Sequence, residues 1–292
     1  MVEYFKPSSV EEACSLLDRF KEGALILAGG TDVVLDIRYN GLRPRCLISI
    51  SNLEGLKYIR GDENGIRIGA ATTIAALAKH PLTTRGCFNV IAEAARCFGS
   101  PQIRNRATVG GNICRAGCSD IAVPLLALDA TVNLVSIRGE RTVPLSRFFA
   151  GGGRTVRAPD ELVKEVAVNN PPPLSGSAYI RFSYRRSLDL PIIGICSYLA
   201  LDSDLSRVVD ARIAMNAVAP TPIRLKNTES SLMGKEASDH LIDEAAKIAA
   251  EEIQPRADSY RASPSYRRAL AYVLTKQCLM KALAAAREKR LS

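Results

Sequence analysis

The sequence predicts an α+β protein, and three features of the 292-residue chain point that way. The N-terminal third alternates helix and strand patterns in a βαβ-like order. From about residue 56 the pattern changes to short alternating strands and short helices. Pro171-Pro172-Pro173, followed by Leu174-Ser175-Gly176-Ser177, then marks a boundary, because three prolines suit neither a helix interior nor a central strand. Beyond it, strand patterns come first and helix patterns after, the grouping of an α+β domain. The chain is thereby divided into residues 1–55, 56–173 and 174–292.

Taken in order, Ser9-Val10-Glu11-Glu12 has the form of a capping box. Val10, Ala13, Leu16, Leu17 and Phe20 follow at the spacing of one helix face, and Gly23 ends the helix. Leu25-Ile26-Leu27-Ala28 reads as a buried strand that runs into Gly29-Gly30, and Leu47-Ile48-Ser49-Ile50 as another. Residues 57–60 and 66–69 alternate around Asp62-Glu63-Asn64-Gly65, which predicts a hairpin. Thr73 is placed to cap a short helix that Pro81 closes, and a longer helix covers residues 89–98. Residues 121–128 are apolar on nearly all sides and read as a buried helix, and residues 131–135 as a strand. The last third predicts strands over 179–183, 192–201 and 208–217, then helices over 238–253 and 265–289.

Composition bounds the function. Hydrophobic residues make up 47% and charged residues 24%, so the chain can bury a core without disulfides or a structural metal. Met1-Val2-Glu3-Tyr4-Phe5-Lys6 is too short and polar for a signal segment, and no apolar run is long enough to span a bilayer. The cytoplasm is the expected location. The net charge of +9 fits either a solvated basic surface or attraction to an anionic cofactor or an acidic partner. Its arginines and lysines are scattered, the densest run being Arg287-Glu288-Lys289-Arg290, and aromatics are only 5%, so no nucleic-acid role is expected. Eight cysteines with only two histidines, His80 and His240, make a zinc site hard to assemble, and no metal-binding residue is expected. Reduced, largely buried thiols account for the cysteines.

Two short segments carry candidate chemistry: Ala28-Gly29-Gly30-Thr31-Asp32 and Thr108-Val109-Gly110-Gly111-Asn112. A pyrophosphate needs backbone amides aimed at it from close range. Glycine removes the side chain that would block this approach and allows positive φ. Each segment adds a hydroxyl, and the second adds an amide. Taken singly, a tight turn explains each Gly-Gly pair equally well. Neither matches the Rossmann or Walker pattern.

Together with Ser100-Pro101-Gln102-Ile103-Arg104-Asn105, these segments resemble the FAD-binding medium subunit of the xanthine dehydrogenase and carbon monoxide dehydrogenase group, the molybdenum hydroxylases. The resemblance covers nearly the whole chain. It takes in Tyr4-Phe5-Lys6-Pro7, Gly151-Gly152, the stretch Arg181-Phe182-Ser183-Tyr184-Arg185-Arg186-Ser187-Leu188-Asp189, and Ser263-Pro264-Ser265-Tyr266-Arg267-Arg268. It implies two N-terminal α/β subdomains of the PCMH-type FAD-binding fold, followed by a C-terminal domain of antiparallel sheet plus helices. FAD is the implied cofactor.

The resemblance also implies a set of contacts. Leu25, Ile26, Leu27, Ala28, Gly29, Gly30, Thr31 and Asp32 wrap the pyrophosphate and neighbouring parts of FAD. Ile103, Ala107, Thr108, Gly110, Gly111, Asn112, Cys114 and Ser119 hold it from the other side. Asp120 matches an acid that hydrogen-bonds the adenosine end, and Val163 an apolar contact. Arg181 aligns with a lysine that in xanthine dehydrogenases reaches the polar edge of the flavin ring; arginine keeps the charge but not the shape. Asp32 has two open readings, contact with FAD or capping of a helix, since a carboxylate beside phosphate is unfavourable at close range.

The implied role is electron transfer. A molybdopterin-containing large subunit oxidises the substrate, a 2Fe-2S small subunit relays electrons, and FAD in this chain passes them to an external acceptor, in a dimer of heterotrimers. No acid–base dyad or nucleophile suggests substrate chemistry of this chain's own, so no catalytic residue is expected. Some relatives carry an extra iron–sulfur cluster in a cysteine-rich insert; Cys114 and Cys118 flank the FAD loop, but no such insert is present, and no cluster is expected. Asp189, Arg185 and Arg186 are expected either to tune the flavin or partner docking, or to form a surface salt-bridge network. A stand-alone flavoenzyme with its own substrate pocket and a non-catalytic basic binding protein are the alternatives.

Overall fold

The computed structural model describes residues 2–185, 187–257 and 260–288. Arg186, Lys289 and Arg290, which figure in the sequence reading, lie outside the described residues. Three sheets follow one another along the chain, and a two-stranded hairpin is inserted before the last strand of the second.

The first sheet is parallel. Strand β1 (Glu3–Phe5), helix α1 (Val10–Phe20), β2 (Ala24–Leu27), α2 (Val33–Tyr39) and β3 (Cys46–Ser49) place β3 between β1 and β2. Ser9 caps α1 by accepting from the Glu12 amide, while the Glu12 carboxylate receives the Ser8 amide at 2.7 Å rather than that of Ser9. Ala13, Cys14 and Leu17 of α1 bury against Ile48, Ile50 and Leu56. The helix stops at Phe20, before Gly23, because Lys21 turns to φ 44. Helix α2 begins directly after Asp32, where a helix start is one of two open readings, but its extent is not legible in the sequence because none of its residues is buried and its apolar positions have no inward periodicity.

The second sheet is antiparallel, in the order β4 (Ile59–Gly61), β5 (Gly65–Gly69), β10 (Leu162–Asn169), β6 (Thr131–Ser136), β7 (Gly139–Pro144). Between β5 and β6 lie α3 (Ile74–Leu77), α4 (Asn89–Cys97), α5 (Pro101–Arg104), α6 (Val109–Cys114) and α7 (Ala122–Ala127). Thr73, Ser100 and Thr108 cap α3, α5 and α6 through their hydroxyls. The hairpin β8 (Phe149–Gly151) and β9 (Arg154–Thr155) follows β7. β10 is the middle strand, pairing with β5 on one side, from Glu165–Gly69 to Asn169–Gly65, and with β6 on the other.

The third sheet, β11 (Ser175–Phe182), β12 (Ile193–Leu201), β13 (Val208–Asn216) and β14 (Ile223–Arg224), is antiparallel throughout. Helices α8 (Lys226–Leu232), α9 (Asp239–Glu252) and α10 (Pro264–Glu288) follow it, as the strands-then-helices pattern predicts. Every residue of β12 is buried, because both faces of the sheet are covered. Ile193, Ile195, Leu199 and Leu201 pack towards α9 and α10. Cys196, Tyr198 and Ala200 pack into the core that α4, α7 and the second sheet share. Gly176 lets α10 lie directly on β11: a β-carbon there would sit 2.2 Å from the Ala282 carbonyl oxygen. The C-terminal sheet therefore forms one wall of the same core as the central region, and this contact positions the site.

Candidate functional site

The two glycine segments face each other across a cavity of about 560 Å³. That size lies within the usual range for small-molecule and cofactor sites, roughly 300–1,000 Å³. From the first segment, Leu25, Ile26, Ala28, Gly29, Gly30, Thr31 and Asp32 line it. Ala107, Thr108, Gly110, Gly111, Asn112 and Cys114 line it from the second, and Val163 from β10.

The two segments differ in what their amides do. Gly30 has φ +77, which turns the chain sharply from β2 into α2. Among the described residues, the N–H groups of Gly29, Gly30, Thr31 and Asp32 meet no protein acceptor. They are unspent donors at the cavity edge. In the second segment, Val109 N–H donates to the Thr72 carbonyl, Gly110 to the Ala70 carbonyl at 2.9 Å and Gly111 to the Thr108 hydroxyl at 3.1 Å. Its glycine amides are occupied in holding the fold, so an arriving anion finds there side-chain donors rather than a nest of free amides.

Packing accounts for two of the glycines. A β-carbon on Gly29 would lie 1.9 Å from the Arg106 carbonyl oxygen, so Gly29 lets the first turn abut the chain leading into the second. One on Gly110 would lie 2.8 Å from the Ala70 β-carbon. Both are close-approach glycines.

Asn112 is held by its oxygen. Its Oδ1 accepts from the Ser119 hydroxyl and from the Ile121 amide at 3.3 Å, which fixes the side chain with Nδ2 as its remaining donor. Asp32 occupies the N-cap position of α2 but with helical φ and ψ and no capping bond. Its carboxylate instead lies 3.8 Å from Arg115. Arg115 also binds Asp36 at 2.7 Å. A hydrogen bond from Asn40, then the Arg115 guanidinium, hold the Asp36 carboxyl below the usual carboxylate range.

Some expected residues lie elsewhere. Leu27 and Ile103 are not among the cavity-lining residues; Ile103 packs on the central core. Ser119, Asp120 and Arg181 are also outside the lining. Asp120 and Arg181, each with a side chain 5% exposed, pair with each other at 3.4 Å. Burial pushes the Asp120 carboxyl up, against the pull of Arg181 and of the Asn216 amide. Arg181 also donates to Ser183 at 2.7 Å and to the Asp189 carbonyl. Asp189 receives Arg261 as well, so it belongs to an ion-pair network that reaches the segment preceding α10.

Sequence reading missed Arg115, Arg154 and Arg157, which bring positive charge to the cavity, and Ile50, Phe98 and Leu162, which add apolar lining. Arg154 follows the Gly151-Gly152-Gly153 run of the β8–β9 hairpin, and that run is the one local signal of a turn approaching the site. Arg157 is braced by donation to the Glu161 carbonyl at 2.6 Å. Burial raises the thiol pKa of Cys114 to about 11 and that of Cys118 to about 12. Among the described residues, no group of three or more His, Cys, Asp and Glu side chains is placed to hold a metal ion.

Unspent amides, a fixed carboxamide donor and three arginines beside a branched apolar wall fit a ligand that is anionic in one part and apolar in another. The fold and cavity thus define a protein with a built site for a cofactor that carries both an anionic and an apolar part. The family described as FAD binding domain in molybdopterin dehydrogenase matches residues 1–171, and that described as CO dehydrogenase flavoprotein C-terminal domain matches residues 178–282. The chain is 34% identical to the putative xanthine dehydrogenase FAD-binding subunit XdhB of Escherichia coli (strain K12), over 97% of this chain and 96% of that protein. It is 36% identical to the nicotinate dehydrogenase FAD-subunit of Eubacterium barkeri, over 80% and 79% of the respective chains. A solved structure of carbon monoxide dehydrogenase from Hydrogenophaga pseudoflava superposes with a TM-score of 0.92 at 30% identity, covering 97% of this chain and 98% of its own. The chain belongs to this family: it is an FAD-binding subunit of a molybdenum hydroxylase-type oxidoreductase.

Proposed function

We propose that FAD lies in the cavity between the two glycine segments, with its pyrophosphate against the first turn, and that the chain is an electron-transfer subunit. The observation that carries this reading is the run of unspent amides from Gly29 to Asp32 opposite the oriented Asn112 side chain. Bound FAD supplies the redox chemistry, exchanging electrons singly or in pairs. The residues supply binding and orientation. Amides of residues 29–32, the Thr31 hydroxyl and Asn112 Nδ2 donate to phosphate oxygens, and Arg115 offsets the charge of Asp32 and Asp36 beside them. Leu25, Ile26, Leu162 and Val163 exclude water from the apolar part of the ligand. Asp120 and Arg181 support the loop behind the cavity through their mutual pair.

The wider assembly follows from the family. The proposed partners are a molybdopterin-containing large subunit and a 2Fe-2S small subunit, in a dimer of heterotrimers acting in the cytoplasm, with a small molecule or a carrier protein as acceptor. Among the described residues no helix is long and apolar enough to cross a membrane. Residues 1–55 and 56–173 are the proposed FAD-binding subdomains, and 174–292 the C-terminal domain.

The test is reconstitution. The full chain stripped of flavin is titrated with FAD, and Ala28→Trp, which fills the cavity, is compared with it. Stoichiometric binding that Ala28→Trp abolishes is the expected result. Equal binding by the two proteins would overturn the placement, and isolation of the native chain from its source without partner subunits would overturn the assembly.

A further inference from the structure

We infer that Asn216, on the C-terminal sheet, is a positioning residue for the flavin cavity, acting through Ser119 on Asn112. The inference rests on the reading that FAD occupies this cavity.

Asn216 is fully buried at the end of β13 and comes from outside the FAD-binding family match. Its Nδ2 donates to the Ser119 carbonyl at 3.2 Å and to Asp120 Oδ1 at 3.3 Å. Ser119 is buried too, and its hydroxyl accepts the Ala122 amide at 3.3 Å, so its proton is directed to Asn112 Oδ1. Asn112 lines the cavity. One residue, Ser119, thus links a strand of the C-terminal sheet to a donor at the cavity wall.

Local space is reserved for this arrangement. Gly194 is the register partner of Asn216 on β12, and a β-carbon at 194 would lie 2.7 Å from Asn216 Oδ1. That oxygen has no hydrogen-bond partner among the described residues, although it is buried. Leaving a buried carboxamide oxygen unsatisfied costs stability. An apolar side chain would avoid that cost, and the Nδ2 bonds to residues 119 and 120 are what the asparagine provides in return. Were the Ser119 loop to shift, Asn112 could turn its carbonyl oxygen towards the cavity, where it would face phosphate with an acceptor instead of a donor.

The experiment is a coupling measurement on the full chain freed of flavin, with FAD as the probe and flavin fluorescence as the readout. Wild type, Asn216→Ala, Asn112→Ala and the double variant are titrated. Each single change is expected to weaken FAD on the order of tenfold, as losing one charge-assisted hydrogen bond does. The double variant is expected to bind no more weakly than Asn112→Ala, because the two act along one chain of contacts. A purely structural role would lower the melting temperature and leave the two losses additive. Additive losses, or a folded Asn216→Ala protein with wild-type FAD affinity, would overturn the inference. If Asn216→Ala does not fold, Ser119→Ala breaks the same chain one link nearer the cavity, and wild-type affinity there overturns it equally. Ala28→Trp separates the two readings: if it binds FAD as the wild type does, the cavity placement itself has failed.

Discussion

Arg115, at the end of α6, donates to Asp36 on α2 at 2.7 Å and so ties the helix after the first glycine turn to the helix that carries the second. Helix α2 has no buried residue, so this contact and the Gly29 approach to residue 106 are what hold it against the cavity. Arg115→Ala is expected to loosen α2 and weaken FAD binding roughly two- to fivefold, the range of a partly exposed ion pair. FAD affinity should fall more steeply with rising salt in the wild type than in the variant. Titrations at two ionic strengths check it; equal salt dependence in both proteins would count against the clasp.

Gly29→Ala should be far more damaging than its size suggests. Its β-carbon would meet backbone, the Arg106 carbonyl oxygen at 1.9 Å, which no rotamer change relieves. The two segments must separate, at a cost of about 1–3 kcal/mol or more. Loss of FAD binding together with a lowered melting temperature is expected. A protein that binds FAD normally would show that the first turn can move away from residue 106.

Glu165 gives a pH prediction. Burial raises its carboxyl, but donors from Tyr58, Arg67 and Asn133 outweigh that and leave it below the ordinary glutamate value of 4.5. A depressed folded-state pKa contributes stability above the unfolded value, and that contribution is lost as pH falls through the folded one. Glu165→Gln should therefore melt lower than wild type at pH 7, with the gap closing below about pH 4.5. Thermal melts across that range decide it; a gap that stays constant would remove Glu165 from the pH dependence.

Cys114 lines the cavity, and its thiol is raised to about 11 by burial. At pH 8 only about one part in a thousand is thiolate, so alkylation is slow. Exposed Cys97 should be labelled first. Saturating FAD is expected to suppress labelling at Cys114 and leave Cys97 unchanged, as peptide mass spectrometry would show. Unprotected Cys114 would place the ligand away from this wall.

Much of the architecture was legible because it is local. The helix face of α1, the hydroxyl caps of Ser9 and Thr73, and the hairpin at residues 62–65 depend on residues within a few positions of one another. The strand β2 and its glycine turn are of the same kind. By contrast, the extent of α2, whose start at Asp32 was one open reading, and the strand β10 were not legible. Helix α2 buries no residue and so shows no inward period, and β10 reads clearly only once β5 and β6 are known to flank it.

The site divides along the same line. The sequence determined two glycine segments in order, and the family resemblance they carry implied FAD and named many of the residues that line the cavity. Tertiary structure decided which amides are left unspent, since Gly110 donates to Ala70, a partner 40 residues away, while the amides of residues 29–32 do not find one. It also brought Arg154 and Arg157 to the wall, set Asp120 against Arg181, and placed Asn216 behind Ser119, 97 positions earlier in the chain. Such contacts depend on strand register and on two sheets sharing one core, and no spacing within a local window encodes them.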